Sequence, residues 1–367
     1  MKFSVLQENL ATGLAAVTRS VSTRSTLPIL ANVKIDASPD GVTLTGTNLE
    51  IVTSCRVGAM VENAGAITLP ARTLTDLVGT LPKERIDLEL NEKTQTVTLV
   101  CGGTKANVKG IDYQEFPMIP QAGDSLVTID ASTMKRLVGQ SVISTASDGA
   151  RPVLEGVAVD LHKLGLTFAA TDGFRLSLSE AATNGLAENH RLIIPARALA
   201  EVGRLLTNEP VEIWVSPVAK NVAFTFGAIQ IVSQLIDGNF PDYNPVVPKS
   251  WGTRVIVSTK ELRDAAKTVS IFSRLATNTA TVNITHNQLT LSGVNAETGD
   301  NTVTMDADVT GANVSINFNV NYLAAGLAAI DTPQVELQLT RSTEPGVIRP
   351  YGKSDFTYVI MPMQFGR

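Results

Sequence analysis

The stretch "ITLPARTLTDLVGTLP", Ile67 to Pro82, decides how this 367-residue chain is built. Apolar alternation runs into a proline, and then Leu74, Leu77, Val78 and Leu81 take up the three-four spacing of a helix face. A strand is predicted to pass directly into a helix, with Pro70 just inside its start, where a missing N–H costs little. The same pattern recurs as "LIIPARALAEVGRLLT" at Leu192 and, more faintly, as "INFNVNYLAAGLAAI" at Ile316. Pro70 and Pro195 are 125 apart (195 − 70), and Val320 follows after another 125 (320 − 195). A fixed period of this kind marks a repeated structural unit.

Other segments keep the period. "LTGTNLEI" at Leu44, "FAATDGFRLSL" at Phe168 and "LSGVNAET" at Leu291 take equivalent places, and the Phe-Pro pairs at Phe116 and Phe240 are 124 apart (240 − 116). Pro-rich stretches follow those pairs and read as linkers, with boundaries near Gln121 and Ser250. Three domains are expected: 1–121, 122–250 and 251–367. Each opens with a strand and a helix whose stripe is Leu10, Leu14, Val17, Val21, then Met134, Leu137, Val138, Val142, then Leu262, Ala266, Val269. Alternating strands follow, joined by turn residues such as Pro39-Asp40-Gly41. The fold class is α+β, three tandem domains each made of two β-α-β-β-β halves.

Composition narrows the function. With 44% hydrophobic and 18% charged residues the chain reads as soluble and globular. Gln7, Glu8 and Asn9 interrupt any early apolar run, so no export signal is expected, and Tyr322 to Ile330 is far short of the ~20 residues that span a bilayer. No membrane association is expected. Cys55 and Cys101 lack C-x-x-C partners, which fits a reducing, cytoplasmic location. His162, His190 and His286 lie far apart without ligand spacing, so neither metal nor cofactor is expected.

Catalytic motifs are also missing: there is no P-loop, no G-x-G-x-x-G after a strand, no G-x-S-x-G and no kinase signature. Asp306 and Asp308 in "MDAD" read as the wet face of a strand. Asp172 and Arg175 are the best enzymatic pair, as base and anion clamp, yet their third-repeat counterparts are Asn295 and Thr298. A strand-end turn is preferred for "TDG", and no catalytic activity is expected.

The net charge of −5 argues against a surface that coats nucleic acid everywhere. Six predicted helix windows, 7–24, 71–85, 131–147, 196–208, 259–274 and 321–331, carry +6, leaving −11 for the rest. A basic helical face on an acidic body would hold a phosphate backbone without sequence preference. Solvated helix faces are the plainer alternative. Aromatic interleaving that would stack single-stranded bases is missing.

Taken in order, "MKF", "TLPIL" at Thr26, "LTGTNLE", "ITLPAR", "ATDGFRLSL", "IIPAR", "DGNFPDY" at Asp237 and "YVIMPM" at Tyr358 resemble the bacterial DNA polymerase sliding clamp family over the whole chain. The resemblance implies a processivity factor without catalysis of its own: a ring-shaped homodimer, helices inside, encircling double-stranded DNA. It implies DNA-facing roles for Arg24, Arg72 and Arg197, to which the helix-charge reading adds Lys135, Arg136 and Arg204, and it implies a dimer interface at Ala106, Val108, Ile271 and Phe272. It further implies a groove that docks short peptides of polymerase subunits, clamp loader and repair proteins. The positions carried over are Leu154, Thr171, Gly173, Phe174, Arg175 and Leu176, then Pro241 and Val246, then Val359, Met361, Pro362 and Met363. Gln364 stands where the family often has a basic residue. The alternative is a scaffold of the same fold that binds DNA or partners without encircling.

Overall fold

A computed structural model describes residues 1–22, 25–119, 125–163, 165–183, 189–216, 220–273 and 277–364. The first repeat contains β1 (Lys2–Leu6), α1 (Gln7–Val17), β2 (Asn32–Ser38), β3 (Gly41–Thr47), β4 (Ile51–Val57) and β5 (Ala59–Asn63). It continues with β6 (Gly65–Pro70), α2 (Ala71–Thr80), β7 (Arg85–Asn91), β8 (Thr96–Cys101) and β9 (Thr104–Lys109). The second holds β10 (Ser125–Ile129), α3 (Ala131–Ser141), β11 (Gly156–His162), β12 (Gly165–Thr171), β13 (Arg175–Ala182), β14 (His190–Pro195), α4 (Ala196–Leu205), β15 (Val211–Ser216), β16 (Asn221–Phe226) and β17 (Ile229–Gln234). The third begins with β18 (Thr253–Ser258), α5 (Thr259–Ser273), β19 (Thr279–Thr285), β20 (Gln288–Asn295), β21 (Gly299–Asp306) and β22 (Asp308–Gly311). It ends with β23 (Val314–Asn319), α6 (Val320–Ala328), β24 (Gln334–Leu339), β25 (Gly346–Pro350) and β26 (Phe356–Ile360). The β-α-β-β-β order therefore recurs through all three repeats. β5 and β22 are short additions, each following its predecessor after one residue, Gly58 or Ala307.

The chain divides into two compact units, Met1–Ala131 with Arg204–Leu235, and Ser132–Gly203 with Ile236–Arg367. In the first unit one sheet runs β5-β1-β7-β8-β9 and another runs β10-β15-β16-β17-β4-β3-β2-β6. The second sheet joins two sequence repeats, because β17 pairs antiparallel with β4 from Ile229↔Cys55 to Ser233↔Ile51. In the second unit β13 pairs with β26 in the same manner, from Arg175↔Ile360 to Ser179↔Phe356, inside the sheet β14-β11-β12-β13-β26-β25-β24-β18-β22. Strands at the sequence-repeat ends thus have no free edge at these junctions, which removes a site of unwanted pairing.

Helix faces follow the apolar spacing. α1 buries Leu10, Leu14 and Val17 in a core with Leu44, Val57 and Leu74. Its close approach to the sheet depends on Gly46, where a Cβ would overlap the Val17 carbonyl, and Gly293 in β20 faces the Val269 carbonyl of α5 in the same way. The second repeat has Ala170 at this position, fully buried. No helix among the described residues is long and apolar enough to cross a membrane.

Candidate functional site

The turn between β12 and β13 is built by short polar side chains. Asp172 Oδ1 accepts from the backbone N–H of Phe174 (2.9 Å) and of Arg175 (3.1 Å), and Thr171 Oγ1 donates to the Arg175 carbonyl at 2.6 Å. Gly173, at φ +91°, supplies the left-handed residue such a turn needs. Asn48 does the same work between β3 and β4, accepting from Glu50 and Ile51, and Asn295 accepts from Glu297 and Thr298. One Asx turn thus occurs in all three repeats. The second copy adds an ion pair: Asp172 Oδ2 accepts from Arg175 Nε at 3.0 Å, with only 11% and 15% of the two side chains exposed. Arg175 also lies over the Tyr322 ring at 4.3 Å. With both oxygens engaged, this carboxylate is a turn and pairing group.

Beside the turn lies a cavity of about 230 Å³. Leu154, Leu176 and Val359, all under 9% exposed, line it, as do the more open Pro241, Val246 and Met361. Its polar lining is Thr171, Gly173, Arg175 and Asp242. Backbone pairing holds the two sides together, since Leu176 pairs Val359 and the Met361 N–H donates to the Phe174 carbonyl at 2.9 Å. Nine of the twelve groove residues carried over from sequence therefore line one cavity. Phe174 is 59% exposed and outside the lining. Pro362 is also outside it, and Met363 turns toward β23, its N–H donating to the Asn317 carbonyl.

Sequence reasoning missed Asp242 and Tyr243. Tyr243 donates to Asp160 Oδ2 at 3.2 Å and meets Phe240 edge-on at 6.4 Å, which fixes one wall. A signal was present: an apolar residue three places after the phenylalanine, Ile119 after Phe116 and Tyr243 after Phe240. Burial first, then the nearby Asp160 charge, pushes the Tyr243 phenol up to about 12. Burial likewise pushes Tyr358, which donates to the Tyr322 carbonyl, up to about 12. An unfolded tyrosine titrates near 10. The folded chain therefore keeps these protons between about pH 10 and 12 where the unfolded chain loses them, so stability present below pH 10 falls as pH rises through that window. Tyr358→Phe is expected to flatten the decline in urea midpoint between about pH 9 and 11.5. Equal slopes for the two proteins would contradict the assignment.

The expected basic face is smaller than the windows implied. At their observed bounds the helices hold eight basic and five acidic side chains, a net +3 (8 − 5). α1 stops at Val17 and α2 at Thr80, ahead of Pro82, so Arg19, Lys83 and Arg85 fall beyond the helix ends. Lys135 and Arg197 are exposed, and Arg72 is exposed with Asp76 at 3.8 Å. Arg204 is exposed and donates to the Ala16 carbonyl. Arg136 is held inside its unit, 3.2 Å from Asp355 and donating to the Glu180 carbonyl at 2.9 Å. Arg24 lies outside the described residues, as does the boundary at Gln121. Of the four interface residues, Ala106 sits on the outer strand β9, Val108 is 7% exposed within its own core, Ile271 is 62% exposed and Phe272 is half-buried. Among the described residues no acidic, histidine and cysteine cluster suits a metal ion.

Three tandem α+β domains with a helix in every half define a DNA clamp fold. Consecutive segments match the DNA polymerase III beta subunit family, its N-terminal domain at residues 1–120, its central domain at 128–242 and its C-terminal domain at 244–364, and the chain belongs to that family. It is 31% identical over 99% of both chains to the beta sliding clamp of Synechococcus elongatus. The crystal structure of the Bacillus subtilis DNA polymerase sliding clamp superposes with a TM-score of 0.95 at 26% identity, covering 100% of both chains. A Pseudomonas aeruginosa sliding clamp solved bound to griselimycin gives 0.91 at 28% identity, again with full coverage of both chains. The family is one of polymerase processivity factors.

Proposed function

We propose that this chain is a sliding clamp that encircles duplex DNA as a ring-shaped homodimer, performs no chemistry, and recruits replication and repair proteins through short peptides. The observation that carries the reading is the apolar cavity beside Asp172, in a chain whose family works in polymerase processivity. Sequence-independent phosphate contacts from Arg72, Lys135, Arg197 and Arg204 are weak enough to permit sliding, and a net helix charge of only +3 fits that need. Two copies in head-to-tail contact close such a ring. The outer strand β9 and the exposed Ile271 are the surfaces assigned to that contact. The domain bounds 1–121, 122–250 and 251–367 belong to this proposal.

Loaded onto nicked circular duplex DNA, the protein is expected to stay bound and to leave quickly once the DNA is linearised. Equal loss from both forms, or a stable monomer in sedimentation at micromolar concentration, would remove the encircling reading in favour of a non-encircling scaffold. For the cavity, Met361→Ala is expected to weaken a fluorescent peptide from the C-terminus of the cognate polymerase by about tenfold or more, since truncating a central apolar contact typically costs ~1–2 kcal/mol. Unchanged affinity would remove the assignment.

A further inference from the structure

The first unit contains a second cavity, of about 210 Å³, assembled from the same places in the repeat. Val232 pairs Val52 there as Val359 pairs Leu176 in the other unit, and Ala223 pairs Val232 as Val347 pairs Val359. The Gln234 N–H donates to the Glu50 carbonyl at 3.1 Å, matching Met361 and Phe174. Pro117 and Ile119 stand where Pro241 and Tyr243 stand. A cluster of Val52, Ala223 and Val232 with Ile119 and Trp214 packed against it corresponds to that of Leu176, Val347 and Val359 with Tyr243.

Three observations distinguish this cavity from leftover packing. Leu49 borders it at φ +79°, 48% exposed, where the equivalent residue is Gly173. A leucine held in that region costs about 1 kcal/mol or more, and such strain clusters at ligand-binding places. Asn221, on the cavity wall and 8% exposed, has a buried Oδ1 with no hydrogen-bond partner among the described residues. Among the described residues Glu50 is the one charged side chain lining this cavity, where the other cavity has Arg175 and Asp242.

We propose that this cavity is a second docking groove, selective for an extended peptide with an apolar side chain next to a lysine or arginine. Leu49 and Val232 receive the apolar group, Glu50 faces the cation, and Asn221 offers an acceptor for a peptide N–H. The proposal draws on the peptide-docking reading of the first cavity only for its architecture, and the charge preference is its own.

The test uses the full chain and two fluorescein-labelled hexapeptides, one with two leucines flanked by lysines, its twin with aspartates replacing the lysines, read by anisotropy. Glu50→Lys is expected to weaken the lysine peptide about fivefold and strengthen the aspartate peptide, as reversal of an exposed charge pair implies. Leu49→Gly, which relieves the backbone, should keep thermal stability while lowering affinity for both. Met361→Ala should leave the lysine peptide unchanged. No binding of the lysine peptide, indifference to Glu50→Lys, or loss through Met361→Ala would each overturn the proposal. Failure of the Asp172-side reading is read separately: the polymerase-derived peptide would keep its affinity in Met361→Ala while Glu50→Lys still shifted the lysine peptide.

Discussion

Gly46→Ala is expected to cost the first unit about 3 kcal/mol, the upper range for forcing one extra carbon into a packed interior. The added Cβ would meet the Val17 carbonyl at the end of α1 and the Val21 side chain. A backbone oxygen in a helix end cannot rotate away as a side chain can, so either α1 lifts from β3 or the strand bends. Thermal unfolding should show the first transition about 6–12 °C lower, the conversion for a body of this size. Gly293→Ala should act similarly on the other unit, against Ser273 and Val269. Wild-type stability for Gly46→Ala would mean that the helix does not approach as closely as described.

Asp172→Ala is expected to be the most damaging change at the candidate site, at about 3 kcal/mol. It strips acceptors from two backbone amides and leaves the largely buried Arg175 guanidinium without its carboxylate. Asp172→Asn should cost only about 1 kcal/mol, the scale of one hydrogen bond, because Asn48 already performs the same turn in the first repeat. Urea denaturation of the two variants separates the contributions: the difference reports the turn, and the residual loss in the asparagine protein reports the ion pair. Equal losses would contradict the division. Peptide affinity should follow, since Thr171 and Arg175 line the cavity from this turn.

The repeat was readable because the demands on each copy are local. A proline at a strand-helix passage, an Asx residue at a strand end and a glycine or alanine under a helix end are each fixed by a few neighbouring atoms, so they survive as spaced words. The pairing of β4 with β17 was not readable, since two apolar strands 172 positions apart (229 − 57) carry no mark of which edge they will meet. The cavity residues fell between these cases. Val359 and Met361 came through the family resemblance, whereas Tyr243 needed the offset from Phe240 to be compared with Ile119. The basic face was overread because helix ends depend on where Pro82 and the 3-10 turn after Val17 cut the helices short.

The shared β4–β17 ladder has a consequence for synthesis. Ribosomes add roughly 5–20 residues per second, so β4 waits on the order of 10–30 seconds for its neighbour to emerge. During that interval Ile51, Val52 and Thr53 present an unpaired apolar edge in a nascent chain whose first repeat is otherwise ready to fold. An edge left open for that long is a template for pairing with other chains, and slowing translation between the first and second repeats should raise aggregation more than slowing it after Gln234.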